Sequence, residues 1–172
     1  AGAARDALRG IKQLDGKGEI LSFGGEVMKN VAGYDLSRLM AGAMGTLGVL
    51  LEVSLKVLPR PEREITLVQE GMEVEQALQK LSALGRRPLP IYGAAFYQGS
   101  LSIRLGGNEA GLATAQTLIP GDRLEPEQAS EYWRSVKDQT HGFFDSDKPL
   151  WRLSVPANSP ELPIEDECLY DW

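Results

Sequence analysis

The sequence predicts an α+β protein built from two segments of different composition. Ten of the 19 glycines lie in residues 1–60, whereas all ten prolines lie at or after Pro59. Residues 1–60 carry 8 Lys+Arg and 6 Asp+Glu, while residues 61–172 carry 10 and 18. These changes predict a boundary near Pro59, with strands and glycine turns before it and alternating strands and helices after it.

The first segment contains three strand candidates and one helix candidate. Residues 11–14 and 19–23 predict a hairpin, because the Asp-Gly pair in the turn at 15–18 adopts positive φ easily. Residues 34–40 predict a short helix. Residues 46–58 alternate most regularly, which predicts a strand with one buried face and one mixed face.

The second segment alternates between strand and helix patterns. Strands are predicted at 64–69, 89–97, 100–105 and 150–155, and helices at 72–84, 108–118 and 127–140. This order is the split βαβ, or ferredoxin-like, pattern with one extra helix, which gives an antiparallel sheet with helices on one face. Residues 156–172 are rich in proline and acidic side chains, and we expect an extended tail there.

Composition excludes several classes of function. A formal net charge of −6 argues against nucleic-acid binding, since phosphate contacts need clustered Lys and Arg. One cysteine, Cys168, excludes a disulfide framework and a cysteine-rich metal site, and one histidine, His141, excludes a site of several imidazoles. We expect no metal site and no membrane insertion, because no apolar run reaches the roughly 18 residues that a membrane span needs.

Glycines recur at every third position in Gly42, Gly45 and Gly48. A dinucleotide fingerprint would need a strand, a GxGxxG turn and then a helix, but here the predicted order is helix, glycines and strand. Such glycines let a backbone pass close to a flat or bulky partner. The residues alone leave two interpretations open, namely packing against another chain segment or contact with a bound group.

The glycine motif belongs to a longer stretch that resembles a known family. Residues 23–49, which read FGGEVMKNVAGYDLSRLMAGAMGTLGV, are similar to the FAD-linked oxidases related to vanillyl-alcohol oxidase. In detail they are similar to the FAD-binding (E) subunits of bacterial glycolate oxidases. The resemblance continues through LKVLPRP at 55–61 and returns at PLWRLSVP, residues 149–156.

This resemblance implies a flavoprotein. Residues 1–60 would be the second half of a PCMH-type FAD-binding domain, residues 61–155 a cap over the flavin, and 156–172 a tail. FAD would accept hydride from glycolate or a similar small 2-hydroxy acid. The implied cofactor-binding residues are Lys29, Asn30, Gly42, Gly45, Thr46, Leu47, Gly48 and Val49.

The resemblance also implies partners and a location. Electrons would pass to an iron–sulfur subunit, and a second flavin subunit would complete the oxidase. The protein would be cytoplasmic, or peripheral to the inner membrane through these partners. A subunit that stabilises such a complex without doing chemistry is the alternative.

The family's other FAD subdomain, which carries the pyrophosphate-binding loop, precedes the region that corresponds to this chain. We therefore expect the chain to be an interior piece of a longer subunit and to carry little or no FAD by itself. We also expect an exposed apolar surface that promotes self-association.

One histidine and three arginines are candidates for catalysis or substrate binding. His141 could be a base, although a role at a helix end or in packing is the alternative. Arg152 could bind a substrate carboxylate from mid-strand, as could Arg104 and Arg134, with surface ion pairs as the alternative.

Four other side chains have predicted structural roles. We expect Tyr34 to be a buried anchor and Asp35 to cap the helix that follows it. Core packing is expected for Trp133 and Trp151.

Overall fold

The computed structural model describes residues 3–25 and 34–172, and the chain divides into two compact units, Ala1–Arg60 and Pro61–Trp172. Both units combine helices with antiparallel sheet, so the α+β class is confirmed. None of the helices in the described ranges is long and apolar enough to cross a bilayer.

The first unit contains a three-stranded antiparallel sheet and two short helices. The elements are α1 (Ala4–Ala7), β1 (Leu8–Leu14), β2 (Ile20–Gly24), α2 (Leu36–Met40) and β3 (Val49–Leu55). The sheet order is β2-β1-β3, so β1 is central and β3 lies at an edge. A β-bulge in β1 falls between Leu8 and Gly10.

Local side-chain bonds fix the turns of this unit as predicted. Asp15 Oδ1 accepts hydrogen bonds from the amides of Lys17 (2.8 Å) and Glu19 (2.9 Å), and Gly18 has a φ of 80°. The hairpin prediction is therefore confirmed. Asp35 caps α2 by accepting a hydrogen bond from the Arg38 amide at 3.1 Å, which is also confirmed.

The core of the first unit is small, and β3 lies outside it. Leu8, Ile11 and Met40 are buried together. All seven residues of β3 are exposed, so the prediction of one buried face was wrong. Tyr34 is 93% exposed rather than a buried anchor. Alternating apolar residues indicate that a strand could bury one face, but they do not show what would cover it. Among the described residues, no second layer packs against β3.

The second unit contains a five-stranded antiparallel sheet of order β7-β4-β6-β5-β8. Its strands are β4 (Arg63–Gln69), β5 (Ile91–Tyr97), β6 (Ser100–Gly107), β7 (Asp122–Arg123) and β8 (Tyr170–Asp171). Its helices are α3 (Val74–Leu84), α4 (Glu109–Leu118) and α5 (Pro126–Lys137), followed by a 3₁₀ turn at Gly142–Phe144. Gly85 ends α3 as predicted, with its amide bonded to the Leu81 carbonyl at 2.9 Å.

One face of this sheet forms the main core. Leu101, Ile103 and Leu105 alternate along β6 and are completely buried. They pack with Ala77 and Leu81 of α3, and with further buried residues of β4, β5 and α4 (Ile65, Leu67, Ala94, Phe96, Leu112, Ala115). This two-layer arrangement explains why periods of two and of 3.6 residues predicted these elements well.

The strand predicted at 150–155 is absent. These residues have no regular secondary structure, and the rings and chains of Leu150, Trp151 and Leu153 are 54–82% exposed. The predicted core role of Trp151 is therefore wrong as well. The strands that close the sheet are instead β7, before α5, and β8, near the end of the segment that the sequence predicts as a tail.

The tail residues that form β8 are held firmly to β5. Trp172 exchanges two backbone hydrogen bonds with Ala94, of 2.8 and 2.9 Å. The rings of Tyr170 and Phe96 have centroids 6.0 Å apart. Tyr170 and Trp172 thereby extend the main core at the sheet edge.

Candidate functional site

The glycine loop runs from Gly42 to Gly48, between the end of α2 and the start of β3. Four of its seven residues have positive φ: Gly42 (88°), Met44 (52°), Gly45 (80°) and Gly48 (138°). Only glycine adopts this region without strain, and Met44 is the exception here. The path of the loop therefore depends on the positive φ angles that its glycines allow.

Hydrogen bonds within the loop form two successive tight turns. The Ala43 amide donates to the Met40 carbonyl at 3.2 Å, and the Thr46 amide donates to the Ala43 carbonyl at 3.0 Å. The Thr46 hydroxyl donates to the same carbonyl at 2.7 Å. Thr46 thus fixes the turn, and its hydroxyl retains only acceptor capacity for an outside group.

The space around the glycines separates the two interpretations of the motif. A Cβ added at Gly48 would lie 2.7 Å from the Leu14 carbonyl oxygen, so this glycine is required by packing within the unit. A Cβ added at Gly42 or Gly45 would meet nothing within 4 Å among the residues that the structure describes. Those two glycines therefore border open space, which is available to a bound group.

Apolar side chains at and beside the glycine loop are accessible. Leu47 is 49% exposed, Val49 is 58% exposed, and Met44 is 94% exposed. Backbone amides and apolar side chains beside a Cβ-free surface fit a flat ring such as an isoalloxazine. Lys29 and Asn30, which are also predicted to bind the cofactor, lie outside the described residues.

His141 in the second unit has structural partners. Its Nδ1 accepts a hydrogen bond from the Phe143 amide at 3.2 Å, so it caps the 3₁₀ turn. Its ring lies edge-on to Tyr97 and Tyr132, with centroids 5.1 and 5.8 Å apart. These contacts match the predicted role at a helix end and in packing.

The three candidate arginines occupy separate positions. The Arg104 Nε donates to Glu64 Oε2 at 2.9 Å, so this arginine forms an ion pair across β4 and β6. Arg134 lies in the last turn of α5. Arg152 lies in the irregular segment, not in mid-strand as predicted, and it is exposed. The three arginines thus lie on different segments of the second unit.

The sheet face opposite the main core carries polar residues that the sequence did not single out. Thr66 and Ser102 are 2% and 3% exposed. The Trp133 indole donates to the Thr66 hydroxyl at 2.8 Å, and Tyr132 bonds to Ser102. Burial raises the pKa of the Tyr132 hydroxyl above its ordinary value of 10.0. These bonds hold α5 on the sheet. In the sequence, the alternation along β4 and β6 already placed Thr66 and Ser102 on the face opposite the apolar core.

Two further titratable side chains, Glu167 and Cys168, lie near the C-terminus. Tyr97 and Gln98 both donate to Glu167 Oε1, at 2.7 and 2.6 Å. The bond to Glu167 raises the pKa of Tyr97. Burial raises the pKa of the Cys168 thiol above 9.0, which makes it a poor nucleophile. No group of three or more His, Cys, Asp or Glu side chains able to hold a metal occurs within residues 3–25 and 34–172.

Comparisons with known proteins bear on both units. The chain is 42% identical over all of its 172 residues to glycolate oxidase subunit GlcE of Escherichia coli. The predicted resemblance to glycolate oxidase E subunits is confirmed. The chain spans 48% of the length of that relative. No protein-family model matches the chain.

Two other relatives match over shorter stretches. Glycolate oxidase subunit GlcD of Bacillus subtilis is 40% identical over 81 residues, which cover 47% of this chain and 17% of the relative. An FAD-linked oxidoreductase of Mycobacterium tuberculosis is 33% identical over 90 residues, covering 51% of this chain and 20% of the relative. The relatives are thus glycolate oxidase subunits and an FAD-linked oxidoreductase.

Proposed function

We propose that the protein that carries this chain is the FAD-binding subunit of an oxidoreductase that oxidises glycolate or a similar small 2-hydroxy acid. Identity of 42% to GlcE along the whole chain is the observation that carries this proposal. When bound, FAD supplies the acceptor for the hydride that leaves the substrate carbon. The residues of this chain would supply a surface for the flavin in the first unit and a cap domain in the second.

The flavin surface that we propose is the loop at 42–49. Its support is the open space at Gly42 and Gly45, together with exposed apolar side chains at Leu47 and Val49. A backbone without Cβ atoms lets a ring approach to van der Waals distance and meet the amide groups directly. Charged side chains are not required at this end of the cofactor, because the isoalloxazine is neutral and flat.

We also propose a role for each segment of the chain. Residues 1–60 would form the second half of a PCMH-type FAD domain, residues 61–155 a ferredoxin-like cap, and 156–172 the tail. The β7-β4-β6-β5 order supports the cap, since a split βαβ unit places its last strand beside its first. The tail residues 170–172 pair with β5 and would therefore serve the cap sheet.

The similarity to GlcE also suggests partners and a location for the protein. We propose a complex with a second flavin subunit and an iron–sulfur subunit that receives the electrons. We place it in the cytoplasm, or at the periphery of the inner membrane through those partners. Glycolate oxidase subunits named GlcE and GlcD support at least a two-subunit assembly.

One observation favours the alternative, in which the subunit holds the complex together without oxidising substrate. The single histidine, His141, is engaged in capping and ring packing and has no histidine neighbour. A base for the substrate hydroxyl would then come from a partner. A subunit that binds FAD and leaves substrate oxidation to its partner would agree both with the similarity to GlcE and with the structural role of His141.

Anaerobic reduction of the flavin tests the proposed function. The protein that carries this chain, expressed at the length of its relatives, should contain flavin that glycolate bleaches and succinate does not. Bleaching only after the second flavin subunit is added would assign the oxidation to that partner. A purified complex without flavin in this subunit would refute the proposal.

A further inference from the structure

Three oxidisable side chains and one imidazole form a continuous row of rings in the second unit. The ring centroids of Trp133 and Tyr132 lie 5.0 Å apart, and those of Tyr132 and His141 lie 5.8 Å apart. The row ends at Tyr97, whose centroid lies 5.1 Å from that of His141. Centroid separations of about 4.5–7 Å correspond to direct ring contact, so the row offers an unbroken path for an electron.

The Tyr97 end of the row has a base. The Tyr97 hydroxyl donates a hydrogen bond to Glu167 Oε1 at 2.7 Å, and Gln98 Nε2 donates to the same oxygen at 2.6 Å. An ionised carboxylate is purely an acceptor and can take up the phenolic proton. A phenol loses an electron more easily when its proton moves at the same time, because the product is then a neutral radical. Among the tyrosines of the described residues, only Tyr97 bonds to a carboxylate.

The other two oxidisable rings bond to neutral hydroxyls. The Trp133 indole donates to the Thr66 hydroxyl at 2.8 Å, and the Tyr132 hydroxyl bonds to that of Ser102. Thr66 and Ser102 are both buried. Serine and threonine hydroxyls donate or accept hydrogen bonds but carry no charge that would hold an extra proton. Tyr97 is therefore the member of the row that is easiest to oxidise.

We propose that Tyr97 is a redox-active tyrosine that is oxidised through this row of rings, with Glu167 as its proton acceptor. A one-electron oxidant, such as a ruthenium(III) complex or a diffusing radical, takes one electron from Trp133 and is reduced. One electron from Tyr97 then crosses the rings of His141 and Tyr132 and restores the indole. The phenolic proton moves to Glu167 Oε1, which leaves a neutral tyrosyl radical and a neutral carboxylic acid.

This path would move an oxidising equivalent away from the buried polar face of the sheet. Tyr97 is half-buried and its partner Glu167 is exposed, so a small reductant in solution could restore the phenol there. All members of the row lie in the second unit and outside the proposed flavin surface at 42–49. Their oxidation can therefore be tested whether or not flavin is bound.

Radical trapping resolved by residue tests the proposal. The protein that carries this chain is oxidised by tris(bipyridine)ruthenium(III), generated with a light flash, in the presence of a nitroso spin trap. Peptide mass spectrometry then locates the adducts. We expect Tyr97 to carry more adduct than Tyr92 and Tyr34, although these two are 50% and 93% exposed. Adduct yields that simply follow exposure would overturn the proposal.

Two neighbouring carboxylates provide a matched pair of variants. Glu167→Gln keeps an oxygen for the Tyr97 hydroxyl but removes the base, so the Tyr97 adduct should fall about threefold or more. Asp166→Asn removes the same charge from the adjacent residue, whose carboxylate pairs with Lys148 at 2.9 Å. It should leave the Tyr97 adduct unchanged. Equal losses in the two variants would show that Glu167 is not the specific proton acceptor.

Tyr97→Phe tests the path between the rings. It keeps a ring beside His141 but has no phenol to oxidise, so oxidation products of Trp133 should increase several-fold. Tyr92→Phe changes a tyrosine outside the row and should leave the Trp133 products unchanged. Far-UV circular dichroism of each variant checks folding. Trp133 products that stay at their original level in Tyr97→Phe would refute electron transfer along the row.

Discussion

The hydrogen bond between Trp133 and Thr66 joins α5 to the sheet, and removing either partner should destabilise the second unit. Thr66 is only 2% exposed, and the indole nitrogen lies 2.8 Å from its hydroxyl. Trp133→Phe leaves the buried hydroxyl without its donor, which should cost about 1–3 kcal/mol. Thr66→Val keeps the side-chain shape and leaves the indole N–H unpaired, which should cost about 1–2 kcal/mol.

The double variant Trp133→Phe/Thr66→Val distinguishes this bond from general loss of packing. Once both polar groups are gone, no buried group is left unpaired, so the total cost should be about 1 kcal/mol less than the sum of the single costs. Urea unfolding followed by far-UV circular dichroism measures these free energies of unfolding. Thr114→Val, on the exposed surface of α4, is the control and should change stability by less than about 0.5 kcal/mol. Costs that simply add would refute the reasoning.

Two further predictions concern the second unit. Gly85→Ala would place a Cβ 2.8 Å from the Trp172 ring although the backbone φ of −63° suits alanine, so thermal unfolding should show a loss of about 1–3 kcal/mol. An unchanged melting temperature would show that Trp172 moves aside freely. Stability should also fall as pH rises above about 9, because folding raises the pKa values of five groups (Tyr97, Tyr132, Lys148, Cys168 and Tyr170). Above that pH the native state holds more protons than the unfolded chain. The stability is fully present below the ordinary pKa values and is lost as pH passes the raised ones, so urea unfolding that gains stability between pH 8 and pH 10 would contradict this sign.

The elements that sequence predicted well are those whose partners lie nearby in the chain. The turn at Asp15, the cap at Asp35 and the end of α3 at Gly85 follow from local bonds, and all three are confirmed. The strands and helices of the main core follow from periodicity, because both layers of that core belong to the same unit.

The elements that sequence predicted wrongly depend on a partner that alternation cannot reveal. Residues 150–155 have strand composition but no adjacent strand, and β3 has an alternating pattern but no covering layer among the described residues. Two-residue strands such as β8 leave no periodic signal at all. At the candidate site, the glycine spacing identified a loop, but only the structure separated packed Gly48 from open Gly42 and Gly45.

The flavin content of a matched pair of glycine variants tests the central proposal most directly. Gly45 and Gly18 both have a φ of 80°, and a Cβ at either meets no other described residue within 4 Å. Valine therefore meets the same positive φ at both positions, but only Gly45→Val fills the proposed flavin surface. In the protein that carries this chain at the length of its relatives, we expect Gly45→Val to lose most of the flavin absorbance and Gly18→Val to retain it. Equal flavin content in the two variants would contradict the account.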